Sequence, residues 1–269
     1  MVDIDAAIGF VVARGDSVDR ARLSWLRSGH RPTPDVVEKA EAGQTSGGGW
    51  PAFWAGDVAS VDATCFRLAE LDDLDALGRP AARRALAWLA TRQRPDGTWE
   101  ESSALADFAP PWAMPGDPEA RLFLTVNAAY SLTIAGPADP APSAEANALA
   151  EVVARATQTF RASIRENGTW PSYLATGWLG AALLYQAGWF YEAAQIQVVL
   201  GERVPDMSPA DAAWMASSLR RVGMSADDWL LVAARKRLTE TQRTDGGWPS
   251  DDGPNFDVHA TLAAIRACR

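Results

Sequence analysis

Apolar residues recur along this chain at spacings of three and four rather than two, and Ala, Leu, Arg and Glu fill the periodic segments. That period belongs to amphipathic helices, and strand signals are nearly absent. The pattern predicts twelve helices. Ile4 to Ala13 and Asp19 to Ser28 form the first pair, broken at Gly15. Pro34 to Glu41 is paired with about Val58 to Leu74, and Pro80 to Thr91 with Glu119 to Leu132. Ala144 to Ile164 precedes Pro171 to Ala187, and Phe190 to Leu200 precedes Pro209 to Arg221. Trp229 to Gln242 and Phe256 to Arg266 close the series.

One kind of turn returns between the members of these pairs. QTSGGGW occupies Gln44 to Trp50, QRPDGTW Gln93 to Trp99, RENGTWP Arg165 to Pro171 and QRTDGGWP Gln242 to Pro249. Glycine serves a turn because it reaches positive φ without a Cβ penalty, and proline is tolerated at a first helical turn. In four pairs the second helix is the less charged, reading AYSL, YLATGWLGAALL, AAWMASS and HATLAAI. Helices apolar nearly all round are buried on both faces. The pattern therefore predicts six inner helices ringed by six outer ones, an all-α (α/α)6 toroid of six helical hairpins forming one domain over residues 1–269.

Two stretches escape the period. EESSALADFAPPWAMPGD, from Glu100 to Asp117, is long enough for a functional loop and is expected to cover one mouth of the ring. AGPADPAP, residues 135–142, is expected to be a second loop.

Composition narrows the class. A chain of 269 residues that is 48% hydrophobic can bury a large core, and no run of about 18 apolar residues spans a membrane. The acidic start is unlike a signal peptide, and two cysteines are not a disulfide framework, so a reduced cytoplasmic setting is expected. A net charge of −9 argues against nucleic acid as a partner. Twelve tryptophans exceed what a framework needs. Trp50, Trp99, Trp170 and Trp248 belong to the turns, whereas Trp54, Trp112, Trp178 and Trp214 are candidates for the walls of an apolar cavity, where π-faces stabilise a cation.

With repeats and turns laid out, the chain resembles the prenyltransferase and squalene-cyclase repeat superfamily, whose signature is a Gln, Gly and Trp turn between an outer and an inner helix. The turns at Gln44–Trp50, Gln93–Trp99 and Gln242–Trp248 carry the resemblance, and the Arg165–Trp170 copy lacks the glutamine. Ser60-Val61-Asp62-Ala63-Thr64 is similar to the Asp-x-Asp-Asp-Thr segment with which class II terpene cyclases protonate an alkene or epoxide. The resemblance implies that Asp62 is the proton donor and Thr64 the family's threonine, with Ser60 and Ala63 in place of the flanking carboxylates. Asp57, just before this segment, is the candidate for capping or orienting the turn. Burial raises the pKa of Asp62 and the positive end of its helix lowers it; a low-pKa acid serves carbon protonation better.

Protein prenyltransferases of the same superfamily hold zinc with Asp, Cys and His, and Asp62, Cys65 and His259 are the matching residue types. Asp62 and Cys65 are three apart rather than two, and His259 follows Asp257 one place too closely, so neither zinc nor any other cofactor is expected. Magnesium would enter only with a diphosphate substrate, for which Arg67, Arg84 and Arg121 are the candidate partners, Arg121 being best placed by its position after the long loop. The expected function is acid-initiated cyclisation or isomerisation of an isoprenoid, of the isomerase or lyase type. Asp62, Asp57 and Thr64 would form the acid site, and Trp54, Trp112, Arg121, Trp178, Trp214 and His259 would bind substrate. A non-catalytic isoprenoid-binding or scaffold protein and a zinc-dependent prenyltransferase-like subunit are the alternatives. All three readings take an isoprenoid or other apolar small molecule as partner.

Overall fold

The computed structural model describes residues 1–136 and 144–269. Twelve α-helices are present among them: α1 (Ile4–Arg14), α2 (Ser17–Ser28), α3 (Pro34–Glu41), α4 (Val61–Asp72), α5 (Pro80–Arg92), α6 (Pro118–Ala135), α7 (Ala144–Ser163), α8 (Leu174–Gln186), α9 (Phe190–Arg203), α10 (Pro209–Arg221), α11 (Trp229–Thr241) and α12 (Asp257–Ala267). The even-numbered helices make the inner ring. α4 packs on α6, α6 on α8, α8 on α10, α10 on α12 and α12 on α2, while the odd-numbered helices lie outside. No helix among the described residues is long and apolar enough to cross a membrane. The second expected loop falls mostly outside the described residues.

Helix ends differ from expectation where a side chain supplies the cap. α2 begins two residues early because Asp16 and Asp19 form a reciprocal capping box. α4 begins three residues late, at Val61, because Ser60 is its cap and the preceding Ala59–Ser60 (β2) pairs antiparallel with Trp50–Pro51 (β1). That two-residue ribbon is the departure from an all-helical expectation.

The recurring turn explains why the ring closes. The Gln44 amide donates to the Gly48 carbonyl in its own turn and to Ala81 in the next outer helix, both at 2.7 Å. Gln93 joins Gly97 to Val152 in the same way, and Gln242 joins Gly246 to Asp3. The turn glycine has positive φ at each of Gly48, Gly97, Gly168 and Gly246, and a Cβ there would press on the neighbouring outer helix. Each turn tryptophan donates its indole N–H to a backbone carbonyl, Trp99 to Leu89 and Trp248 to Leu238 at the end of the preceding outer helix. These are buried donors satisfied within the framework.

Arginine–carboxylate pairs link the C-terminal ends of the inner helices. Arg22 of α2 pairs with Asp73 at 2.8 Å, Arg266 of α12 bridges Asp72 and Asp73, and Arg221 of α10 reaches Asp72 across the ring. Burial alone would raise the Asp73 carboxyl, but Arg266 and Arg22 outweigh it and hold Asp73 below its usual range. The candidate site lies at the opposite, N-terminal ends of the inner helices, where Asp62 opens α4.

Candidate functional site

Four of the inner helices keep a stripe of partly accessible residues at spacings of three and four. On α4 the stripe includes Asp62 and Phe66, on α6 Phe123, Asn127 and Tyr130, and on α10 Asp211, Trp214 and Ser218. His259, Ala263 and Arg266 continue it on α12. Contacts between helices place these stripes toward one another. The Phe66 ring lies 6.3 Å from Phe256 and 5.3 Å from His259, and the Tyr130 hydroxyl donates to the Ser218 carbonyl at 3.3 Å. Phe123 meets Tyr173 edge-on at 6.2 Å. Two shallow concavities on the outer surface, one over α1 and α2 and one between α7 and α9, lie away from Asp62.

Asp62 is half-buried in the first turn of α4. Its Oδ2 accepts from the indole Nε1–H of Trp112 at 3.1 Å. Burial pushes its carboxyl up to about 6; the Trp112 hydrogen bond opposes this, and the charges of Glu101 and Asp252 add to it. Of the two opposing influences read from the sequence, burial and the helix end, burial is the largest cause here and the carboxyl lies above its usual range.

Glu101 was not legible as a site residue. It follows Trp99 by two positions and is only 4% exposed. Its Oε1 accepts from the Ser60 hydroxyl at 2.7 Å and the Asp62 N–H at 3.0 Å, and its Oε2 from the Val61 N–H at 2.9 Å. The second aromatic turn thus places a carboxylate on the start of the helix that begins after the first.

The long loop comes to the same place. Two short 3-10 turns, Ser103–Leu105 and Pro111–Ala113, break it, and the second packs on α6 and carries Trp112. Glu100 ties its two ends by accepting from the Gly116 N–H and from Arg121. Arg121 is therefore paired with a carboxylate, 3.1 Å away, rather than free for a substrate anion.

The other expected residues divide. Trp54 is half-buried in a small cluster with Ala52, Ala55, Leu105 and Ala63, beside Asp62 in sequence. Trp214 is half-buried on the α10 stripe. Trp178, expected at a cavity wall, is only 3% exposed and packs in the core. α8 is drawn tightly outward because the Trp170 and Phe160 rings sit where Cβ atoms would be at Gly177 and Gly180. Asp57 lies exposed in the turn between the two short strands. Thr64 donates to the Ser60 carbonyl and accepts from the Trp50 N–H, just as Thr125 serves Trp99 and Thr261 serves Trp248. Its hydroxyl is occupied by the framework.

The zinc set does not assemble. Cys65 is buried, its thiol raised by burial, and His259 Nδ1 lies 2.8 Å from the Arg22 guanidinium. Burial and that guanidinium both lower the His259 pKa. A cation at this nitrogen and a protonated thiol do not fit the ligand set. Among the described residues no group of three or more His, Cys, Asp or Glu is placed to hold a metal ion.

No family model matches the sequence, and no curated protein matches it. Solved structures do. A protein from Actinoplanes aligns with a TM-score of 0.61 at 17% identity, over 99% of this chain and 97% of that one. The type II terpene cyclase MstE from Scytonema, without ligand, aligns with a TM-score of 0.61 at 17% identity, over 98% and 96%. A variant of MstE in complex with its substrate, geranylgeranyl dihydroxybenzoate, gives 0.62 at 16% identity, over 98% and 95%. The chain has the α/α toroid fold of these structures across nearly its whole length.

Proposed function

We propose that this toroid is a terpene-cyclase-like enzyme that starts the cyclisation or isomerisation of an isoprenoid by protonating it from Asp62. The observation that carries the reading is the carboxyl of Asp62, half-buried on the accessible stripe and raised to about 6. A carboxyl with that value keeps its proton under mildly acidic conditions, although it is a weaker acid than the low-pKa donor that suits carbon protonation. Its strength at the moment of transfer depends on how well the carboxylate left behind is stabilised, and the Trp112 N–H is aimed at it.

Phe66, Phe256 and Trp214, with Tyr130 and Phe123 deeper along α6, would form the aromatic wall that folds the chain and receives developing positive charge. The MstE structure with geranylgeranyl dihydroxybenzoate supports an isoprenoid-bearing substrate in a fold of this kind. Asp211, Asp251 and Asp252 share this end of the ring, while Arg121 is engaged by Glu100. That balance favours an uncharged substrate end over a free diphosphate. Thr64 and Trp54 act indirectly, by fixing the first turn of α4.

Turnover assays of wild type and Asp62→Asn on isoprenoids and isoprenoid-bearing aromatics test the reading. Tight binding by both proteins with turnover by neither would move the assignment to a non-catalytic isoprenoid-binding protein.

A further inference from the structure

Two carboxylates meet at the start of α4, and their hydrogen bonds differ in kind. Glu101 accepts three bonds, all from donors in that first turn: the Ser60 hydroxyl and the backbone N–H groups of Val61 and Asp62. None of these partners is a cation. A carboxylate filled with donors at the positive end of a helix is held in its ionised form, because a proton on it would have to displace one of them. Asp62 accepts one bond, on Oδ2, from an indole. Its other oxygen faces no donor among the hydrogen bonds of the described residues, so it is the member with room for a proton.

We propose that Glu101 is the positioning residue of this site: ionised against the three donors of α4, it fixes the first turn and keeps the pair's single proton on Asp62. The inference rests on Asp62 being the acid proposed above, and adds which of two neighbouring carboxylates carries the proton and why. It also gives a reason for Ser60. Its hydroxyl caps the Ala63 N–H while donating to Glu101, so a carboxylate from 41 residues away sits beside Asp62 where no neighbour in the sequence of α4 supplies one. Burial raises the Glu101 carboxyl, and the hydrogen bonds from Asp62, Ser60 and Val61 oppose that rise by favouring its ionised form. The remaining groups acting on Asp62 are Asp252, from the loop before α12, and the neutral indole of Trp112.

The test uses the full chain and needs no substrate. With 13C-carboxyl-labelled Asp and Glu, NMR titration follows both side chains, assigned by the signals lost in Asp62→Asn and Glu101→Gln. As the pH falls, the Asp62 carboxyl should take up its proton before the Glu101 carboxyl does. In Glu101→Gln the Asp62 midpoint should fall by about one pH unit or more, because the neighbouring charge is gone. An unchanged midpoint overturns the proposal. If Glu101→Gln does not fold, wild-type spectra still decide, since a protonated Glu101 beside an ionised Asp62 overturns it as well. Failure of the acid reading is separate: Asp62→Asn would then turn over normally while the Asp62 midpoint still answered to Glu101.

Discussion

The indole of Trp112 donates to the Asp62 carboxylate across 3.1 Å, and 50 residues of chain separate the two. The bond joins the long loop to the first turn of an inner helix. Trp112 is 36% exposed, so one side of its ring meets solvent while its N–H points at the acid.

Replacing Trp112 by Phe keeps the ring and removes the donor. That donor stabilises the ionised carboxyl and lowers its pKa, so its loss should move the Asp62 midpoint above about 6. The variant should melt as wild type to within about 1 kcal/mol, the usual size of one such bond. Limited proteolysis should cut between Glu100 and Asp117 faster in Trp112→Phe, and slower in wild type at saturating isoprenoid. Equal cutting in all three conditions would show that the loop does not act as a lid.

Asp62→Asn should reduce turnover by about 100-fold or more while leaving binding nearly intact. In wild type, turnover should fall as pH rises through about 6, where Asp62 loses its proton. Stability gives the same sign. The folded pKa lies above the unfolded one, so the contribution of Asp62 is fully present below about 4 and is lost as pH rises through about 6. Asparagine has no such titration. Asp62→Asn should therefore gain up to about 2 kcal/mol on wild type between pH 4 and pH 7.5, read from denaturant melts at the two pH values.

Asp73 should show the opposite pH dependence. Arg266 and Arg22 depress its pKa, so its stabilisation is present above the unfolded value and is lost as pH falls through the folded one. Asp73→Ala leaves two largely buried guanidiniums short of a partner and should cost about 3 kcal/mol or more near neutrality, in chemical melts.

Gly246 and Gly43 both have positive φ, but only Gly246 has a neighbour at its Cβ position, the Ala6 carbonyl at 2.2 Å. Gly43→Ala should cost about 1 kcal/mol of backbone strain. Gly246→Ala should cost at least about 2 kcal/mol and loosen α1, with faster amide exchange in that helix.

Trp178→Ala opens a void in the core and should destabilise the protein by about 3–5 kcal/mol. Trp214→Ala, at a half-buried position, should cost less in a thermal melt and change product distribution or substrate affinity more.

The ring was readable because its joints are local. Gln44, Gly48 and Trp50 occupy one turn, as do Gln93, Gly97 and Trp99, and each type acts within that turn or on the nearest outer helix. The site was readable only in part. Asp62 stands out within its own segment, but Glu101 reaches it through the pairing of two hairpins, which no spacing encodes. Trp178 and Trp214 both lie in apolar inner helices. α8 is apolar all round, so no polar face betrays which way Trp178 points, whereas Asp211 and Ser218 mark the accessible side of α10 around Trp214. The framework bond of Thr64 was hidden for a related reason: its counterparts Thr125 and Thr261 sit at different distances from their tryptophans.

The pair of hydrogen bonds between Gln242 and Asp3 spans 239 positions and fastens the last aromatic turn to the first outer helix. A ribosome makes α1 long before it makes that turn. Ala7, Phe10 and Val11 are buried in the finished ring, and Gly247 presses on the Phe10 ring. Until the final hairpin emerges, the nascent chain is a crescent whose leading edge carries an apolar face awaiting its partner. That edge presents apolar surface that the finished ring covers. It is also where two incomplete rings would join, so truncation before Gln242 should yield adhesive crescents rather than smaller toroids.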